Sequence, residues 1–454
     1  MDGASVTGER SLTLALAERN IAVSYDSLPD EVRELARQCV LDYLGVGLAG
    51  ADDPLARILL DEVSEAGGAA QAAVIGHGAR LPVLAAAQVN GAIAHALDYD
   101  DVNLAMPGHP SVAILPALLA LAEEKHASGK QVIAAFVAGY ETCCRIGTAL
   151  RPGHYNRGFH ATGTVGAFGA AAACAHLLGL DAEATARALG IAGTQSAGLK
   201  SQFGTMCKPF HAGKAAQNGL LAARLAARGF SSRTDLVECI QGFAATHSPD
   251  FMPEKALAEP KRGFHIHNNL FKYHAACYMT HAPIECGRQV REQLGAAPAE
   301  IAAISLKLHQ STDRVCNIPA PTDGLEAKFS LRQTVAMALA GIDTASLGAY
   351  SVATATDPAL VRLRERVSLD FREDCPEAGA EIEVALSDGR KAVATFDAGI
   401  PNRDIADQGC RLREKFDALA APVVGAARAR ELHEAIAGLD RLQDVGVMVK
   451  LAAK

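Results

Sequence analysis

Residues 158–180 read GFHATGTVGAFGAAAACAHLLGL, and the spacing within this stretch decides the fold. Glycine recurs at every third position, at Gly163, Gly166 and Gly169, and runs into Ala170 and Ala171. On a helix those positions form a face without side chains, against which a second backbone can pack closely. The run from Val165 to Leu180 is the most apolar of the chain, yet it carries His176 and is shorter than the roughly 20 residues that span a bilayer. It reads as a helix buried among helices. Gly-x-x-Gly-x-x-Gly alone is weak evidence for a nucleotide loop, and no strand precedes it here.

Outward from this helix the same periodicity continues. Apolar residues recur at helical spacing from Leu12 to about Gly263, in segments 30–49, 111–125, 129–150, 182–196 and 212–228. Pro29-Asp30, Ser128-Gly129 and Asp181-Ala182 read as helix starts, and Gly179 and Gly229 as ends. After about Asn268 the pattern changes. Ile301–His309 (IAAISLKLH) and Arg366–Phe371 (RVSLDF) read as strands, and 381–386 and 391–396 flank Ser-Asp-Gly-Arg as a hairpin. Segments 329–340 and 358–365 supply helices beside them, and helical periodicity returns from Asp404. The expected architecture is mainly α: a large all-helical domain from 1–268 and 400–454, interrupted by a smaller α+β domain at 269–399.

Composition narrows the functional classes. A chain of 454 residues exceeds the usual size of one core, and 49% hydrophobic with 21% charged residues is ordinary for a globular protein. Tryptophan is absent and aromatics total 5%, which favours closely packed helices over a β-sandwich. Net charge is −8 and the cations are scattered, so no nucleic-acid footprint exists, and an anionic substrate needs a local cationic pocket. Eleven cysteines without a C-x-x-C pair point to buried free thiols in a reducing compartment. The N-terminal MDGASVTGERSLTLALAERN lacks the apolar core of a signal peptide, so a cytoplasmic location is expected.

Four clusters carry the candidate chemistry. The first is NGAIAHALDYDD at 90–101, an apolar helix running into Asp98, Asp100 and Asp101, where the helix dipole disfavours negative charge. Either Asp100 or Asp101 alone can serve as a cap or face solvent; the group as a whole reads as functional. Gly108-His109-Pro110-Ser111 follows, with Ser111 or Pro110 opening a helix whose start suits an anion. The second is Arg157-Gly158-Phe159-His160-Ala161-Thr162, which places His160 and Thr162 at the entry of the glycine-faced helix. The third is GTMCKPFHAGK at 204–214, where Lys208 before Pro209 is expected to be extended at a helix entrance. The fourth is KYHAACYMTHAP at 272–283, with Lys272 and His281 at the junction where the pattern changes. His265-Ile266-His267 reads as an extended pair of imidazoles without a nearby carboxylate, hence structural or surface.

These segments, with GYET at 139–142 and ALGIAGTQSAGL at 188–199, resemble the MmgE/PrpD family, whose activities include 2-methylcitrate dehydratase, cis-aconitate decarboxylase and iminodisuccinate epimerase. The resemblance covers nearly the whole chain and is most specific over 90–285. It implies a homodimer, a helical domain built from both chain ends with an α+β lid, and chemistry without metal or organic cofactor. By analogy Asp98, His109, His160, Lys208 and Lys272 match the family's active-site positions between helical domain and lid. The sequence departs at Val102-Asn103, where members acting on methylcitrate or cis-aconitate usually carry Thr-Trp. The implied reaction is a cofactor-independent lyase step on a small polycarboxylate, a 2-methylcitrate-type dehydration or, alternatively, a decarboxylation or epimerisation. His160 and His109 would be acid and base, Asp98 would orient an imidazole, and Lys208 and Lys272 would hold carboxylates. Arg157, Thr162, Ser111 and His281 would complete substrate binding. An inactive homologue that keeps only the fold is the reading from another class, and the intact Asp98, His109, His160 and Lys208 set argues against it.

Overall fold

The computed structural model describes residues 11–454, and the first ten positions of the N-terminal stretch read above lie outside the described residues. Two compact units are present. One runs to Asn269 and resumes from Asp404 to Lys454; the other is Leu270–Arg403.

The first unit is helical, and the glycine-faced segment is its centre. It forms the helix Ala161–Leu177, buried continuously from Ala161 to Ala175. Around it pack Ser111–Lys125, Gly129–Leu150, Ala182–Gly193 and Cys207–Ala227. Close approach requires the missing side chains: a Cβ at Gly166 would lie 2.7 Å from the Ala113 Cβ. The surrounding core is rich in alanine for the same reason, since small residues let backbones meet at short range.

Helix ends follow local chemistry. The Ser128 and Gln131 side chains form a reciprocal capping box, and Asp181 accepts from the Ala184 N–H. The helix expected at 212–228 begins earlier, at Cys207. Pro209 occupies its first turn, where backbone N–H groups have no intrahelical acceptor and proline removes nothing. Lys208 is therefore helical and not extended. The segment His265–Asn268 is a short 3-10 turn with both histidines buried, not an extended strand.

The C-terminal segment completes this unit. Ile405–Val424 packs on Asp30–Gly50, and Lys415 of the former places its ammonium 2.6 Å from Asp42 of the latter. No helix among the described residues is long and apolar enough to cross a membrane. All eleven cysteines are free; six are buried, while Cys207 and Cys410 are exposed, against the expectation of buried thiols.

The second unit is built on a four-stranded sheet in the order Val367–Arg372, Ile301–His309, Gly379–Leu386, Lys391–Asp397. The last two are antiparallel across Ser387–Arg390, with Gly389 at φ 89 supplying the turn. Ile301–His309 pairs antiparallel with Gly379–Leu386 but parallel with Val367–Arg372, a pairing that local pattern does not announce. His281–Leu294 packs on the sheet through Gly379–Leu386 and Lys391–Asp397, and Leu331–Leu339 packs on that helix.

Candidate active site

The helix Val83–His95 ends at the acidic run, and the chain turns sharply there because Asp98 adopts a left-handed conformation at φ 50. This turn separates the three carboxylates. Asp98 faces Lys208, with Nζ 2.8 Å from Oδ2, while its Oδ1 lies 3.5 Å from His109 Nε2. Asp100, 1% exposed, lies between two imidazoles: His95 Nδ1 is 2.8 Å from Oδ1, and His109 Nδ1 is 2.8 Å from Oδ2. The His109 contact does not meet the geometry of a regular hydrogen bond. Asp101, 0% exposed, turns the other way and accepts from Ser111 Oγ. The reading of Asp100 or Asp101 as a solvent-facing or capping residue is thereby corrected; both are interior.

The second and third clusters meet the first. His160 is the N-cap residue of Ala161–Leu177, and its ring stacks on His95 with centroids 5.9 Å apart. Its Nδ1 lies 3.0 Å from the Nδ1 of His211, which sits one turn beyond Lys208 on Cys207–Ala227. Gly163 permits this approach, since a Cβ there would stand 3.0 Å from the His211 Cβ and 2.5 Å from the Ala197 carbonyl oxygen. Phe203 closes the edge, its ring 5.0 Å from His160 and 5.3 Å from the Lys208 ammonium. Thr162 Oγ1 accepts from the His109 backbone N–H at 3.1 Å, so the hydroxyl fixes the histidine loop.

Burial sets the protonation states. It pushes the His95 imidazole down to about 4, outweighing the upward pull of Asp100. Burial also holds His160 well below the ordinary histidine range, and His95, Lys208 and His109 push the same way. For Asp100, burial alone would raise the carboxyl, but the adjacent His109 and His95 together hold it well below the usual range. Burial and the nearby Asp42 push Asp101 up to about 7. The arrangement contains a cation, two carboxylates, and imidazoles held in their neutral form, the set needed to anchor an anion and move protons. His95, Asp98, Asp100 and His109 each also present a ligand atom within 4.8 Å of the others, a donor set able to take a divalent cation. The Lys208 ammonium already supplies positive charge to one of those carboxylates.

The sequence-selected residues divide accordingly. Asp98, His109, His160 and Lys208 come together, with Thr162 and Ser111 buttressing them. Arg157 is exposed and donates to the Thr246 carbonyl instead of joining the cluster. Lys272 and His281 belong to the second unit, where Lys272 is buried and His281 packs edge-on against His274 at 5.0 Å. His95, Asp100, His211 and Phe203 were not selected. Three of the four stand inside the quoted motifs and Phe203 directly beside one, but a histidine on an apolar helix reads as core until its partner carboxylate is located. Asn103 of the departing Val102-Asn103 pair anchors the loop: it donates to Tyr140 Oη at 3.0 Å and the His265 carbonyl at 3.1 Å, and accepts from Ala105 N–H at 2.9 Å.

Comparison with known proteins gives two matching family models, the MmgE/PrpD N-terminal domain over residues 15–256 and the MmgE/PrpD C-terminal domain over 274–441. A cis-aconitate decarboxylase of Aspergillus terreus is 29% identical over 459 residues, covering 94% of this chain and 92% of the relative. Cis-aconitate decarboxylases of Homo sapiens and Mus musculus are 28% and 27% identical, each covering 97% of this chain and, respectively, 94% and 93% of the relative.

Proposed function

We propose that this chain, which belongs to the MmgE/PrpD family, is a lyase that decarboxylates a small unsaturated tricarboxylate of the cis-aconitate kind. The observation that carries the reading is the Lys208–Asp98–His109–Asp100–His95 chain of contacts, with His160 beside it, in a protein matched almost end to end by relatives named for that activity. Loss of carbon dioxide leaves an electron pair on carbon conjugated with a remaining carboxylate. That charge needs a cation nearby and an acid to protonate the carbon. The Lys208 ammonium supplies the first. His160 and His109 are the candidates for the second, and Asp98 and Asp100 fix the orientation of Lys208 and His109.

A second reading, elimination of water from a hydroxy acid such as 2-methylcitrate, uses the same groups, one imidazole removing a proton while another protonates the departing hydroxyl. The presence of two imidazoles, His109 and His160, on separate chain segments favours keeping it. The reading includes a homodimer working without an organic cofactor, which light scattering and activity after exhaustive dialysis would test.

The deciding experiment offers purified protein cis-aconitate, citrate and 2-methylcitrate. The expected result is carbon dioxide release from cis-aconitate, with one new carbon-bound hydrogen in the unsaturated dicarboxylate product. Rising ultraviolet absorbance from 2-methylcitrate without carbon dioxide would replace decarboxylation by dehydration. No turnover of any of the three would overturn both.

A further inference from the structure

We infer that His211 is a proton-relay residue acting through His160, and that the two imidazoles share a single Nδ1 proton whose position decides whether His160 presents an acid or a base to substrate. This rests on the lyase reading for its kinetic consequence, but the geometry behind it stands alone.

The two Nδ1 atoms lie 3.0 Å apart. An imidazole nitrogen is either a donor carrying hydrogen or an acceptor with a lone pair, so a hydrogen bond at this distance needs one ring of each kind. The remaining nitrogens are fixed by that choice. When His211 donates, His160 carries its hydrogen on Nε2; when His160 donates, its Nε2 is a bare lone pair. Among the described residues nothing hydrogen-bonds to His160 Nε2. His160 is 2% exposed, whereas His211 is only partly buried, so the pair runs from the interior toward solvent. Its rings are held in place: Gly163 leaves room for His211, Phe203 packs edge-on against His160, and the His160 backbone N–H donates to the Gly198 carbonyl at 3.0 Å.

The chemistry requires such a partner. Burial keeps both imidazoles below their ordinary range, so His160 meets substrate as a neutral ring. A neutral imidazole that gives up a proton becomes an imidazolate, which is far too basic to form, unless a proton reaches its other nitrogen. Decarboxylation replaces a carbon–carboxylate bond by a carbon–hydrogen bond and consumes one proton: R–COO⁻ + H⁺ → R–H + CO₂. In the relay, His160 Nε2–H passes to the carbon that holds the released electron pair, the His211 Nδ1–H passes to His160 Nδ1, and water protonates His211 Nε2. Both rings are neutral before and after. Once product leaves, water protonates His160 Nε2, the His160 Nδ1–H returns to His211 Nδ1, and His211 Nε2 releases its proton to solvent, which resets the pair. Run in the opposite sense, the same pair lets His160 accept a proton without becoming a buried imidazolium.

The test has a structural arm and a kinetic arm, both on the full chain. In protein labelled with ¹⁵N-histidine, the ring resonances should show one protonated and one bare Nδ1 coupled to each other, and the coupling should vanish in His211→Asn. Two bare Nδ1 atoms with no coupling would overturn the shared proton. On cis-aconitate, His211→Asn keeps a hydrogen-bonding group beside His160 but cannot pass a proton through, so kcat should fall about 10²-fold, the scale of general acid–base catalysis, with KM little changed. His211→Ala should fall similarly and recover as imidazole is added to the buffer, a response that a purely structural role would not give. Near-wild-type kcat in both variants, or lost kcat that imidazole leaves untouched in a folded protein, would overturn the relay. Absence of any carbon dioxide from the wild type would instead remove the decarboxylase reading, and the nitrogen coupling would still decide the pair.

Discussion

Lys415 joins the C-terminal segment to the loop that carries the acidic run, and its replacement gives a sharp prediction. Its ammonium is 2.6 Å from Asp42, 2.7 Å from the Tyr99 carbonyl oxygen, and 3.9 Å above the centroid of the Tyr99 ring. Lys415 and Asp42 are both buried. Lys415→Met keeps most of the volume and removes the charge from beside a buried carboxylate. Breaking such a pair from one side costs about 3–5 kcal/mol, because the remaining charge has lost its compensation. Asp42→Asn in the same chain removes that charge, so the double variant should recover part of the loss. What it cannot recover is the charged hydrogen bond to Tyr99, an interaction of about 1.5–3 kcal/mol that holds the backbone between Asp98 and Asp100. The double variant is therefore expected to lie between Lys415→Met and wild type, about 1.5–3 kcal/mol below wild type, and to be lower in kcat. Urea unfolding followed by circular dichroism checks the first part, with separate transitions fitted separately because two compact units can unfold in steps; initial rates check the second. A Lys415→Met loss below about 1 kcal/mol, or a double variant no more stable than the single, would refute the reasoning.

Lys208→Met removes the ammonium 2.8 Å from Asp98 and should lower kcat/KM by about 10²–10³, the scale of one lost electrostatic contact to developing charge, with an unchanged circular dichroism spectrum. Gly163→Ala would place a methyl group 2.5 Å from the Ala197 carbonyl oxygen and 3.0 Å from the His211 Cβ; a loss of about 1–3 kcal/mol in urea unfolding is expected, together with a weakened His160–His211 coupling. Asp101, pushed from 3.8 up to about 7 by burial and Asp42, binds its proton more tightly folded than unfolded, so its contribution to stability falls as pH rises through that window. The buried histidines His95, His154 and His265, lowered to about 4, act with the opposite sign. The carboxyl's part is accordingly the difference between wild type and Asp101→Asn, which should grow in favour of the variant between about pH 4 and 7 when urea midpoints are compared.

The helical architecture was legible because its signals are local. Ser111–Lys125 and Gly129–Leu150 have the ends that the sequence predicts, since Pro110-Ser111 and Ser128-Gly129 carry their start chemistry in the adjacent residues. Cys207–Ala227 starts earlier than its sequence suggests, because a residue before proline reads as extended, whereas Pro209 in the first turn removes no helical hydrogen bond. The parallel pairing of Ile301–His309 with Val367–Arg372 joins strands far apart in the chain, and no short pattern encodes it. The site divides in the same way. Asp98, His109, His160 and Lys208 are legible by residue type and motif order. Their connectivity is not, because it depends on one left-handed residue, Asp98, that sends neighbouring carboxylates to different partners. Arg157 reads as an anchor because it lies near His160 in sequence, yet the turn at Arg157 and Gly158 carries its side chain to the Thr246 carbonyl instead.

The charges of the cluster make a demand on any anionic substrate. The cluster holds the Lys208 ammonium against two carboxylates, Asp98 and Asp100, in a protein of net charge −8. A tricarboxylate entering that environment is repelled unless positive charge meets it. Burial works against charging His95 and His160. His109 lies between Asp100 Oδ2 at 2.8 Å and Asp98 Oδ1 at 3.5 Å, so its two ring nitrogens already face carboxylates. The Lys208 ammonium is therefore the counter-charge that the cluster offers a ligand. Titration calorimetry of a saturated, non-reacting tricarboxylate should show affinity that weakens as salt is raised and that falls about 10-fold or more in Lys208→Met. His109→Gln, which leaves the Lys208–Asp98 pair in place, should weaken binding less than Lys208→Met does. Binding that Lys208→Met leaves unchanged would mean that the counter-charge comes from elsewhere in the chain, and the placement of substrate against Lys208 would fall with it.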